Sequence, residues 1–380
     1  RLSDALHERL TQRFVDRRSA ILVRSRGKDV QADVNQDNEV FVKGVFVGCL
    51  EGLRFVTDLL ATSGDRRLLT AAAHRGLQIE IRRRVVSLEK SVNADFNLSN
   101  DGKILWKEQF LGNLSRGSDI LSPRPCVATS IILPTALRDR VEVRLAGWFD
   151  EILHRAFAPL FTIPTQKVTG PARGLVFQLR EGLGSITRSA VQGQVKALSV
   201  QDKTVFRSSH IRIGPHTIFI ASLLKPRVRA LRALLWAIWN NEEIPNLPPP
   251  GLTTLSKNGE VAKGFYEAIG FVEVGDLLIR ADILDRASTK LIRQAKSGVF
   301  SLPDDLPPSL GLNLSQTRTL VRQLGYVVRP DGSVLRKASK RHPRNFTGKS
   351  QILSKTGPRK TTVAKSASNS PFAKLAELRL

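Results

Sequence analysis

Methionine is absent from the 380 residues, and cysteine and tyrosine occur only twice each. Two cysteines, Cys49 and Cys126, allow one disulfide at most, which excludes a disulfide-stapled secreted scaffold. No apolar run reaches the roughly 18–20 residues of a membrane helix, and Arg1-Leu2-Ser3-Asp4 lacks the apolar region of an export signal. These absences predict a soluble, cytoplasmic protein with no membrane partner. Acids are also scarce, with 34 Asp+Glu against 59 Lys+Arg, a net charge of +25. Hydrophobic residues make up 41%, enough to build cores and to exclude a wholly disordered chain.

The charge is uneven. Residues 333–380 hold twelve Lys/Arg, among them Lys337, Lys340, Arg341 and Arg344, against one acid, Glu377. The preceding 332 residues still carry +14. The stretch 337–370 is Ser, Thr, Lys, Arg and Pro with few apolar residues, so it cannot offset its ordering entropy and is expected to be disordered. Phe372, Leu375 and Leu378 suit one short docking turn at its end. A basic tail on a basic body is the electrostatic footprint of a polyanion binder, here nucleic acid, with single-stranded RNA the expected partner.

Leu2, Leu6, Leu10 and Phe14 recur every four residues and predict a helix over 1–26 with no cap before it, so the natural chain is expected to extend upstream. Glu39–Leu50 and Lys103–Leu114 then alternate as strands and read as copies at an offset of 64. Asp37, Lys43, Phe46, Gly48 and Leu50 match Asp101, Lys107, Phe110, Gly112 and Leu114. Lys43-Gly44 suits a tight hairpin turn, whereas Lys107-Glu108 does not. Helices are expected over 65–90, with a break near Gly76, and from an N-cap at Thr135, with Trp148 and Phe149 in the core.

Residues 170–208 predict helices separated by Gly182-Leu183-Gly184, followed by hairpins over 211–220 and 271–280. A helix starts at Pro226, a favoured first-turn position. Asp282 is expected to cap the helix Ile283–Gln294, and Gly325 to end a helix carrying Leu320 and Val321. The fold class is α+β, built from repeated antiparallel β-hairpin-plus-helix units, helical segments and a disordered basic C-terminal tail. The expected domains are 1–165, 166–300 with a Pro-rich linker at 244–251, a small helix–hairpin cap at 301–336, and the tail 337–380.

Catalytic patterns are incomplete. Gly348-Lys349-Ser350 resembles the end of a phosphate loop, but Pro343 stands where the first Gly is needed. Gly182-Leu183-Gly184 lacks the third Gly of a dinucleotide fingerprint, and His7-Glu8 lacks a second zinc ligand at Thr11. His210 and His216 flank a hairpin without acid or Cys partners nearby in sequence. Asp276, Asp282 and Asp285 form the best carboxylate cluster for a metal-dependent nuclease, and neither cysteine has the neighbours of a nucleophile. Basic clusters are better developed. Lys225, Arg227, Arg229 and Arg232 crowd one helix, and Arg229, Arg232 and Trp236 share the face opposite Leu231 and Leu235, which suits phosphate pairing and base stacking if exposed. Arg82, Arg83 and Arg84 form a second cluster.

A family resemblance follows from the residues. Asp4-Ala5-Leu6-His7-Glu8-Arg9-Leu10-Thr11-Gln12-Arg13-Phe14-Val15-Asp16-Arg17-Arg18 resembles the segment after the motor in bacterial helicases similar to the mitochondrial degradosome RNA helicase. Gly48-Cys49-Leu50-Glu51-Gly52-Leu53-Arg54-Phe55, Ala172-Arg173-Gly174-Leu175-Val176-Phe177-Gln178-Leu179, Leu223-Leu224-Lys225-Pro226 and Leu231-Arg232-Ala233-Leu234-Leu235-Trp236-Ala237 are further matches, with Gly264-Phe265-Tyr266 and Leu324-Gly325-Tyr326. The resemblance spans nearly all of 1–336. It implies a superfamily 2 ATP-dependent helicase whose two motor domains, with their ATP and Mg²⁺ sites, lie upstream, leaving this chain as a non-motor accessory region without a cofactor or catalytic site of its own. Such a region guides single-stranded RNA or DNA past the motor. The alternatives are a free-standing RNA- or ribosome-binding module and, last, a nuclease built on the three aspartates.

Overall fold

Alternating apolar residues set the first half of the structure, a computed structural model that describes residues 32–57, 71, 73–74, 76–128, 133–257, 259, 261–262 and 264–337. The expected helix over 1–26, the start of the helix over 65–90, and the tail beyond Lys337 lie outside the described residues. Val40, Val42, Val47 and Leu50 point one way from an antiparallel meander of β1 (Ala32–Val34), β2 (Glu39–Val42), β3 (Val45–Glu51) and β4 (Arg54–Thr57). The same meander recurs as β5 (Phe96–Leu98), β6 (Lys103–Trp106), β7 (Gln109–Ser115) and β8 (Arg124–Val127). The first three strands of each sheet keep the offset of 64, and so do their β-bulges, at Val40/Phe41 and Ile104/Leu105.

Gly48 and Gly112 are equivalent too. A Cβ there would lie 2.2 Å from the Val56 carbonyl oxygen and 2.1 Å from that of Cys126, so only glycine lets the next strand close in. The Lys107-Glu108 expectation is corrected. Both hairpins turn in two residues with positive φ, 51° and 76° at Lys43 and Gly44, 47° and 64° at Lys107 and Glu108. The strand pairing on either side imposes this primed turn even where the residue type disfavours it.

A helix follows each sheet: α1 (Gln78–Lys90) and α2 (Thr135–Ala156). They pack on each other through Ile81, Val85 and Leu88 and through Val141, Leu145, Trp148 and Phe149. Arg144 ties them, donating to the Ser91 carbonyl at 2.8 Å and lying 4.8 Å from the Phe96 ring. Pro134, not Thr135, holds the N-cap position of α2.

The second half alternates short helices with three-stranded sheets. After α3 (Gly170–Glu181), Leu183 and Gly184 take positive φ and turn the chain into β9 (Ser185–Thr187), a strand the sequence pattern did not announce. Then come α4 (Gln192–Ala197), α5 (Val200–Ser208), β10 (Ile211–Ile213) and β11 (Thr217–Ile220), with β11 pairing β9 as well as β10. Next, α6 (Pro226–Asn240) starts at its proline and is buried without a break from Leu231 to Ala237. A helix apolar on all sides sits inside a core, and this one does. Its Leu231, Leu234 and Leu235 join a single core with Val40, Ile104, Trp148 and Leu175, and apolar residues on both sides of residue 165, Leu160 and Val168, belong to it.

The sheet of β12 (Thr254–Ser256), β13 (Phe271–Val274) and β14 (Leu277–Arg280), the helix α7 (Ala281–Gln294), and β15 (Phe300–Ser301) with α8 (Leu314–Gln323), β16 (Tyr326–Val328) and β17 (Ser333–Arg336) close the described chain. A second core of Ile279, Leu284, Leu291, Leu320, Val321 and Val334 holds these together. Helix α7 begins at Ala281, so Asp282 lies in its first turn rather than capping it, and it pairs with Arg280 at 2.6 Å. Helix α8 is capped by Asn313, whose side chain and that of Gln316 satisfy each other's backbone N–H groups. The class is α+β with several small antiparallel sheets. Among the described residues no helix is long and apolar enough to cross a membrane.

Candidate nucleic-acid interface

The face expected to meet nucleic acid on α6 is turned inward. Arg229 is 4% exposed, Arg232 0% and Trp236 8%. Arg232 donates from Nε to the Ala268 carbonyl at 2.6 Å, from Nη1 to the Leu223 carbonyl at 3.2 Å, and from Nη2 to Ser185 Oγ at 2.5 Å. It staples three separate chain segments to one helix. Burial pulls its guanidinium down to about 9, still protonated at neutral pH. Arg229 donates to the Pro248 carbonyl at 2.9 Å, and burial lowers its pKa as well. Trp236 meets Phe265 edge-on at 5.2 Å. Opposing Leu231 and Leu235 did not make this the wet face, because residues 230–239 carry one charge in ten and every side had to be covered.

Lys225 and Arg227, at the start of the same helix, are exposed. Arg227 borders a cavity of ≈ 370 Å³ with Arg155, Leu98, Ile152 and Leu231. Of the second cluster, Arg82 is exposed and Arg83 is exposed while pairing with Glu80 at 2.8 Å. Arg84 is committed internally, donating to the Gly52 carbonyl at 2.9 Å and to Asn38 Oδ1 at 2.6 Å and so fixing the first sheet to α1. Arg83 does meet other cations: with Lys90 of α1 and Lys107 of the β6–β7 turn it rims a shallow groove of ≈ 500 Å³ that contains one acid, Asp95. Lys337 is exposed, and Lys340, Arg341 and Arg344 lie outside the described residues.

Sequence reasoning missed a longer stretch of exposed cations. From Gln166 to Thr217 there are eight Lys/Arg and two acids. Lys167, Arg173, Lys196, Lys203, Arg207 and Arg212 are exposed, Arg180 and Arg188 half-buried, and none makes an ion pair among the described residues. One of the two acids, Asp202, faces inward: it accepts from the Thr169 N–H at 2.9 Å and Thr169 Oγ1 at 2.8 Å, and from the Ser199 N–H at 2.9 Å and Ser199 Oγ at 2.7 Å. The Thr169 backbone bond foremost, with the Ser199 bonds, holds its pKa well below the usual carboxylate range. Glu181 is then the single exposed acid of the stretch. A charge count by segment would have found this stretch; attention to runs of adjacent arginines did not.

The nuclease cluster does not assemble. Asp276 is exposed at a hairpin turn, Asp282 is held by Arg280, and Asp285 is half-buried beside Gly214, its pKa raised by burial. Among the described residues no group of three His, Cys, Asp or Glu is placed to hold a metal ion. His210 is exposed, while His216 is half-buried in a different cavity with Arg188, its pKa lowered by burial. Cys49 and Cys126 form no disulfide. His7-Glu8 and Gly348-Lys349-Ser350 lie outside the described residues. The chain matches no family model, no curated protein and no solved structure.

Proposed function

We propose that this chain is a cytoplasmic, non-motor accessory region of an ATP-dependent RNA or DNA helicase, guiding single-stranded nucleic acid along its basic surface toward motor domains upstream. The observation that carries the nucleic-acid part is the 166–217 stretch, six of whose eight cations are exposed, with one exposed acid and no ion pair among the described residues. Cations left unneutralised at this density favour a polyanion that brings its own phosphates. The helicase part rests on the sequence resemblance. Its quoted segments coincide with packing positions here: Leu175, Val176 and Leu179 are buried, as are Leu231 to Ala237, and Gly48 admits the neighbouring strand. ATP and Mg²⁺ belong to the upstream motor in this reading.

Fluorescence anisotropy of the purified chain with a labelled single strand, repeated over a salt series, tests the proposal. Affinity is expected to fall linearly on a log–log plot by about 0.7 per phosphate contact. Absence of binding at low salt rejects it, and nucleic-acid-stimulated ATP turnover by the chain alone rejects the non-motor assignment.

A further inference from the structure

Helix α3 buries Ala172, Leu175, Val176 and Leu179. Phe177 projects from the opposite side and is 60% exposed, the one exposed Phe, Trp or Tyr among the described residues. Its helical neighbours at i−4 and i+3 are Arg173 and Arg180, spacings that place side chains together on one face. Arg173 is anchored by its Nε to the Val168 carbonyl at 3.2 Å, which leaves its terminal nitrogens free of any protein acceptor among the described residues. The Arg180 side chain makes no hydrogen bond or ion pair among the described residues, and its Nε is buried without a partner. Its guanidinium lies 5.5 Å from the ring of Phe161, and Phe161 in turn stacks on His154 at 4.5 Å. An exposed ring thus shares a helix face with two arginines that make no ion pair among the described residues.

We propose that Phe177 is a base-stacking platform for single-stranded nucleic acid, with Arg173 and Arg180 taking the flanking phosphates. This rests on the polyanion-binding reading above and adds a consequence that reading lacks. Phosphate neutralisation alone cannot distinguish a nucleic acid from any other polyphosphate, whereas a ring needs a base face to stack on. Such stacking tolerates any base, because each has a π-face, and it requires bases not already paired in a duplex.

The test uses the full chain, a labelled oligouridylate of about 20 nucleotides, the same strand annealed to its complement, and long-chain inorganic polyphosphate as a probe without bases. Phe177→Ala is expected to weaken the oligouridylate about 5- to 150-fold, the equivalent of roughly 1–3 kcal/mol per stacked base. Polyphosphate and duplex affinity should stay unchanged, as should the melting temperature, and Phe177→Trp should retain binding. Unchanged oligouridylate affinity in Phe177→Ala overturns the platform, and so does an equal loss on polyphosphate. Wild-type protein that binds neither probe overturns the nucleic-acid reading itself, a result distinct from either.

Discussion

Lys43 and Lys107 stand at equivalent tips of two hairpins, 64 residues apart, each the first residue of a two-residue turn and each at positive φ. Their successors differ: Gly44 accepts that conformation without strain, while Glu108 at φ 64° does not. Replacing Glu108 with Gly is expected to stabilise the protein by on the order of 0.5–1 kcal/mol, the relief of left-handed strain less the extra unfolded-state entropy of glycine. Gly44→Ala should act oppositely, since its cost is conformational and nothing crowds a Cβ there. Urea unfolding of the two variants checks both signs.

Arg232 and Trp236 should behave as core residues. Trp236→Ala is expected to cost about 3–5 kcal/mol. Arg232→Ala orphans the Ala268 and Leu223 carbonyls, at about 1–3 kcal/mol for each buried group left unpaired, while Ser185 Oγ keeps its bond to the Glu267 carbonyl. Arg227→Ala, on the exposed start of the same helix, should leave the melting temperature where it is. Equal thermal melts for Arg227→Ala and Arg232→Ala would contradict the inward placement.

Asp202 makes stability depend on acid. Its folded pKa lies below the ordinary unfolded value of about 3.9, so its contribution is complete above that value and is lost as pH falls from there toward the lower folded one. Asp202→Asn is expected to lower stability at neutral pH and to flatten the loss that wild type shows as pH falls below about 4. Denaturant midpoints of wild type and variant across that range decide it.

On the basic surface, Arg173→Ala, Lys203→Ala and Arg207→Ala should each reduce the salt slope for single strands by about 0.7 where they meet a phosphate. Lys107→Ala tests the groove shared by α1 and the second hairpin in the same way. Slopes unchanged in all four variants would move the contact surface elsewhere.

The hairpins at 211–220 and 271–280, the start at Pro226 and the duplication at 64 residues were legible because alternation, turn residues and proline act locally. Strand β9 was not, since Ser185–Thr187 is too short to show a period and owes its state to pairing with β11. The inward turn of Arg229 and Arg232 was hidden for a similar reason. Apart from Ser185 Oγ, their acceptors are backbone carbonyls of residues 223, 248 and 268, which have no signature in side-chain sequence. At the basic surface, the arginine run 82–84 drew the eye, yet one member is spent inside, while the dispersed cations of 166–217 remain outside.

The two sheets part company after their third strands. Strand β4 begins at Arg54 and β8 at Arg124, a spacing of 70 where the repeat elsewhere keeps 64. The longer loop carries Arg116, whose guanidinium lies 4.0 Å from the ring of Trp239 on α6. The first sheet has the short connection Gly52-Leu53 at that place and no residue to make the contact. The copies have therefore ceased to be interchangeable parts. A chimaera with the first unit in both places would preserve each meander yet leave Trp239 without its arginine, whereas transplanting only residues 116–123 would carry that attachment with it.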